Sequence, residues 1–222
     1  MREYEPNNRV NDPVYLIRQA EELLKIAQKN KNSSALIYAC LESRIALEWM
    51  DLYLILASVD ENEYRKILDE SKPKNGIDKL NNKYKTLKEK YQLFFLALNE
   101  LLDIKSSYYD FKKSKELQNK LSTYIHSYYM LEDEINFDSE IMQNVFPLVK
   151  EVHDFIKTSL NYDGKSYTII GLQINSMPEN DRLILKEWKD DPQMTFDQLK
   201  EKLKLSIEKN NSNLNVNTKK PF

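Results

Sequence analysis

Three glycines in 222 residues leave this chain without a Gly-rich loop, which removes the P-loop and the dinucleotide-binding βαβ fingerprint together. One cysteine, Cys40, excludes an intrachain disulfide and a Cys-based zinc site. Histidine is almost as scarce, with His126 and His153 alone, so neither a metal nor a cofactor is expected. Net charge is lacking too. The 33 basic residues stand against 35 acidic ones, for −2 overall, so no global pull on nucleic acid or anionic membrane exists, and only a local basic patch stays open. The opening MREYEPNNRVNDP holds no apolar core of a signal peptide, and a cytoplasmic location is expected.

What the chain has is bulk for a core, with 14 Tyr, 8 Phe and 2 Trp, and one long apolar run. Ala35 to Leu56 carries only four charged residues, Glu42, Arg44, Glu48 and Asp51. A membrane span competes by length, but each charge near the middle costs roughly 2.5–3.5 kcal/mol, against about −0.3 to −0.6 for each large apolar residue. The charges win, and no membrane is expected. Arg44, Glu48 and Asp51 stand at i, i+4 and i+7, a single charged seam on a buried helix that must meet a partner, water or a site.

Asp12-Pro13 predicts a helix start, with Leu16, Ile17, Ala20, Leu23, Leu24 and Ala27 repeating at helical spacing to about Lys29. Asn32-Ser33-Ser34 predicts the cap of the apolar helix, which is expected to end near Ser58. A short helix follows over about 61–70, then the breakers Pro73 and Gly76. Ile77, Leu80, Tyr84, Leu87, Tyr91, Phe94, Leu98 and Leu101, spaced 3-4-3-4-3-4-3, predict one long heptad helix. A fourth helix is expected to run to about Leu131 with Leu117, Leu121, Tyr124 and Tyr128 inward. A fifth has Val145, Leu148, Val152, Phe155 and Leu160 inward, with Pro147 in its first turn or at a kink.

After Gly164 the pattern changes to a β-like 166–174, a helix near 180–188 and a Thr195-capped helix to about Ile207. The expected fold is therefore all-α: an up-and-down bundle of about five helices over 12–160, a small α(+β) module over 165–207, and a disordered tail over 208–222. The module, DRLILKEWKDDPQMTFDQLKEKLKLS over 181–206, opens like a winged helix-turn-helix but lacks a recognition helix. It reads as an arm that docks Leu183, Ile184, Trp188, Phe196, Leu199 and Leu203 on the bundle or on a protein partner.

Candidate chemistry gathers on the fourth helix. His126 points away from the expected apolar stripe, and Lys115, Asn119 and Ser122 share its direction, with Tyr129 alongside. Such a row can bind an anion or perform acid–base work, against the plainer reading of a solvated face or an oligomer contact. Arg44 and Glu48 predict a paired seam that fixes helix register, with Asp51 continuing it; the functional alternative has Arg44 supplying a cation beside His126.

The segment YACLESRIALEWM, the two long helices after it and KLSTYIHSYYM resemble the HEPN superfamily of helical proteins over roughly 12–160. The resemblance rests on Arg44, Ala46-Leu47-Glu48 and Leu121-x-x-Tyr124-Ile125-His126. It implies a four- or five-helix bundle, frequent homodimers, and membership of bacterial abortive-infection, toxin–antitoxin and antiviral defence systems. Active members are metal-independent ribonucleases in which four to six residues separate an Arg from a His. The three slots before His126 hold Leu121, Lys120 and Asn119; lysine lacks the planar fork that grips phosphate. The expected function is thus a non-catalytic HEPN-like interaction module. The alternatives are an RNA endonuclease using His126 with Lys120 or Lys115, and a DNA-binding regulator acting through 181–206.

Overall fold

A computed structural model describes residues 12–103, 106–107, 109–160, 167–168 and 177–217. The chain is all-α, and its helix starts follow local capping chemistry. Asp12 accepts the Tyr15 N–H at 3.0 Å, with Pro13 opening α1 (Pro13–Asn30). Lys31, at φ 50°, ends it. Asn32 accepts the Ala35 N–H at 3.1 Å at the head of α2 (Ser33–Ala57). After a 3₁₀ turn at Glu61–Glu63 come α3 (Tyr64–Ser71), α4 (Gly76–Lys83), α5 (Lys85–Leu101), α6 (Phe111–Ile125), α7 (Glu140–Gln143), α8 (Val145–Ser159), α9 (Glu179–Asp190) and α10 (Phe196–Asn217). At the head of α10 the Thr195 N–H donates to Gln198 Oε1 at 2.8 Å and the Gln198 N–H to Thr195 Oγ1 at 3.3 Å, a reciprocal capping box. Between α3 and α4, Asn75 sits at φ 60°. Gly76 follows because a Cβ there would lie 2.4 Å from the Ser71 carbonyl oxygen.

The described residues form two compact units. The first draws on Met1–Tyr53 and Tyr109–Asp163, the second on Leu54–Tyr108 and Gly164–Phe222. In the first, α1 and α6 both pack on α8. Its core includes Leu16, Ala20, Leu36, Cys40, Leu47, Met50, Leu117, Leu121, Val149, Val152 and Ile156. In the second, α5, α9 and α10 pack mutually and α3 packs on α4, around Ile67, Leu80, Tyr91, Phe94, Leu185, Trp188, Leu199 and Leu203. The only sheet among the described residues is a two-residue parallel ladder, Ser106 with Tyr167 and Ser107 with Thr168.

Several expectations change here. The units do not follow the expected division at 160–165, because the helix read as bundle core, α5, shares its unit with α9 and α10. The long heptad helix is two helices, broken at Tyr84 with φ −101° and ψ 14°. Its inward face in α5 includes Lys88, Tyr91, Gln92, Phe94 and Phe95, so Leu87, Leu98 and Leu101 are only half-buried. Buried Lys88 donates to Asn81 Oδ1 at 2.6 Å, back across the break. The tail expected to be disordered from 208 is helical to Asn217, and 218–222 lie outside the described residues. Of the β-like 166–174 only Tyr167–Thr168 is described. Pro147 stands in the first turn of α8, where its missing N–H costs nothing.

Candidate functional site

The charged seam of α2 meets a polar row on α6. Ser114, Gln118 and Ser122 recur every four residues and so line one side of that helix. Asp51 is buried. Its Oδ1 accepts the Tyr109 hydroxyl at 2.7 Å and the Ser114 hydroxyl at 3.3 Å, while its Oδ2 accepts the Gln118 amide at 2.9 Å. The Tyr109 hydroxyl also lies 2.9 Å from Ser114 Oγ, and its ring meets Phe111 edge-on at 5.0 Å. Burial, and then the nearby Asp51 carboxylate, push the Tyr109 phenol well above its ordinary value, so it stays a proton donor.

Two turns back on α2, Arg44 Nε donates to Glu48 Oε1 at 2.9 Å and its Nη1 donates to Ser122 Oγ at 2.7 Å. Ser122 in turn donates to the Gln118 carbonyl at 2.6 Å. Residues 44 to 51 thus meet residues 122 to 114 in opposite order, which makes α2 and α6 antiparallel neighbours. The Arg44 and Glu48 side chains keep 30% and 28% of their surface, a half-exposed pair rather than a buried one.

The row expected around His126 does not share one face. Ser122 turns inward to Arg44, because the inward side of α6 is set by Ser114, Leu117, Gln118 and Leu121. Lys115 and Asn119 are exposed. The helix ends at Ile125, short of the expected Leu131, so His126 is its C-cap, with φ −97° and ψ 43°. The His126 N–H donates to the Ser122 carbonyl at 3.0 Å, and its exposed ring meets Tyr128 edge-on at 6.4 Å. Tyr129, in the 3₁₀ turn Ser127–Tyr129, donates from its hydroxyl to the Thr123 carbonyl at 3.0 Å. Lys120 Nζ lies 4.0 Å from Glu151 Oε2, and Lys113 hydrogen-bonds the same carboxylate. That bond holds the Glu151 carboxyl below its usual range.

No family model, curated protein or solved structure matches this chain.

The other histidine, His153 on α8, contacts Glu21 on α1, Nδ1 to Oε1 at 2.7 Å. Among the described residues no group of three or more His, Cys, Asp or Glu is placed to hold a metal, and no helix is long and apolar enough to cross a membrane. A cavity of about 380 Å³ along α9 is lined by Asp60, Glu179, Arg182, Lys186, Lys189 and Asp190. The predicted docking residues Trp188, Leu199 and Leu203 are buried in the second unit, but Leu183 is 60% exposed and Leu185 fills the inward position. Lys90 on α5 closes the end of α9, its Nζ donating to the carbonyls of Trp188 at 2.6 Å and Asp191 at 3.0 Å. Trp188 returns a bond from Nε1 to the Lys90 carbonyl at 2.8 Å.

The polar cluster of Asp51, Tyr109, Ser114 and Gln118 is what the sequence reading missed. Its signal was the seam itself: a buried acid on α2 requires donors on a facing element, and the i, i+4, i+8 row of Ser114, Gln118 and Ser122 supplies them.

Proposed function

We propose that the chain is a HEPN-like interaction module of a bacterial defence or toxin–antitoxin-type system, cytoplasmic and homodimeric, acting by contact rather than by cleavage. In this reading α1, α2, α6 and α8 are the bundle that the resemblance implies. The engagement of Arg44 supports it. A ribonuclease needs a cation facing the phosphate beside the general acid or base. Arg44, with the planar fork suited to that role, is held by Glu48 and Ser122, and the exposed Lys115 and Lys120 lack that fork.

Light scattering at tens of micromolar tests the assembly; a strict monomer counts against it. The opposing reading, an RNA endonuclease using His126, draws support from the exposure of that ring at the end of α6. It requires RNA cleavage in EDTA that disappears in His126→Ala. The expected outcome is intact RNA with the wild-type protein.

A further inference from the structure

Beyond α6 the chain forms a hydrogen-bonded edge. The Met130 N–H donates to the Ser127 carbonyl at 2.9 Å, and the Glu134 and Ile135 N–H groups both reach the Leu131 carbonyl at 3.1 Å. The Leu131 N–H donates to Glu134 Oε2 at 2.8 Å, and the Ser139 hydroxyl to the Glu134 carbonyl at 2.6 Å. This scaffold displays Tyr128, Leu131 and Tyr129 at 88%, 66% and 58% exposure. The two tyrosine rings stand 5.6 Å apart at 83°. No other four-residue stretch among the described residues exposes three large apolar side chains.

The segment's own charge has one sign. From Ser127 to Glu140 there are five carboxylates and no lysine or arginine, and one of the five, Asp138, pairs with Lys31 at the end of α1 at 3.0 Å. Glu132 and Asp133, next to Leu131, are both exposed. An aromatic face attracts a cation, adjacent carboxylates add Coulombic attraction, and the same carboxylates repel phosphate. Tyrosine also gives large contact area at a small side-chain entropy cost.

We propose that Tyr128, Tyr129, Leu131, Glu132 and Asp133 are a docking surface for a basic peptide segment of a partner protein. A Lys or Arg cation lies over the Tyr128 ring between the two carboxylates, and a neighbouring apolar side chain packs on Leu131. This deepens, and rests on, the interaction-module reading above.

Random 12-residue displayed peptides panned on the full-length protein test it. The expected result is enrichment of cationic peptides. A synthetic copy of one of them should bind at least tenfold more weakly to Tyr128→Ala/Tyr129→Ala and to Glu132→Gln/Asp133→Asn, and should weaken as salt rises. All four residues are exposed and the Tyr129–Thr123 bond is at the surface, so both variants should melt within a few degrees of the wild type, which excludes a folding defect. Cationic peptides that bind wild type and variants equally overturn the surface while leaving the interaction-module reading standing. Neutral or acidic selections, or none, overturn the proposal. A wild-type dimer that Tyr128→Ala/Tyr129→Ala turns into a monomer assigns the surface to a second copy and also overturns it. A single-stranded 12-nucleotide RNA that binds and is cleaved, with both lost in His126→Ala, overturns the surface and the interaction-module reading together.

Discussion

The two units close helix on helix by different chemistry. In the first, α2 and α6 are joined by directed bonds from Tyr109, Ser114 and Gln118 to Asp51 and from Arg44 to Ser122. In the second, α9 and α10 meet α5 around buried Tyr91, Phe94, Leu185, Trp188, Leu199 and Leu203, with the Lys90–Trp188 exchange and a buried bond from the Ser206 hydroxyl to Asp181 Oδ1 at 2.9 Å as polar additions. Apolar burial is non-directional and tolerates repacking. A buried carboxylate does not, because a shift of one helical turn strands it without donors. The first unit therefore has its α2–α6 register specified by several donors on one carboxylate, while the second relies more on apolar area, with the bond from Ser206 to buried Asp181 beside it.

That contrast is open to measurement. Trp188→Ala should have the largest effect, removing about 3–5 kcal/mol. Hydrogen exchange should show the loss in α9 and α10, and equal loss of protection in α6 would erase the distinction. Asp51→Ala comes next. It leaves the donors of Tyr109, Ser114 and Gln118 short of their acceptor, for about 3 kcal/mol by chemical denaturation, and Asp51→Asn should recover most of it.

Alkali should act on the first unit. Burial raises the Cys40 thiol to about 12, and burial with Asp51 raises the Tyr109 phenol. Both groups hold their protons more tightly in the folded chain than in the unfolded one. Their stabilisation is complete below the unfolded values, near 8.5 for the thiol and 10 for the phenol, and is lost as pH climbs above them. Between pH 8 and 10 the thiol alone accounts for about 1–2 kcal/mol. Denaturation of Cys40→Ala should show a flatter decline over that window. The smallest effect belongs to the half-exposed pair. Arg44→Met should cost about 1 kcal/mol rather than the 3–5 kcal/mol of a fully buried pair, and Arg44→Met with Glu48→Leu should regain part of it. A loss near 4 kcal/mol in the single mutant would falsify the surface-like assignment of Arg44.

Helix starts were legible in the sequence because caps are local: Asp12, Asn32 and Thr195 each bind an N–H three residues on. The seam on α2 was legible because charges in an apolar run stand out. Its complement was not, since Ser114 and Gln118 carry no apolar period and Ser122 falls, by spacing, in the outward row of His126. His126 was misplaced because apolar periodicity continues through Tyr128 although the helix stops at Ile125. The break at Tyr84 was hidden for the same reason: a heptad pattern runs through it, and only backbone dihedrals reveal it. Which helices share a unit depends on contacts between distant segments, and no local pattern encodes them.

The buried thiol has a practical use. Cys40 is the only cysteine of the chain, and with its proton held to about pH 12 the native protein carries on the order of a thousandfold less thiolate than an exposed cysteine would. A maleimide dye or spin label offered at neutral pH will therefore pass over it. A cysteine introduced at Tyr128 then becomes a single attachment point, and the wild-type background needs no prior removal of its own sulfur.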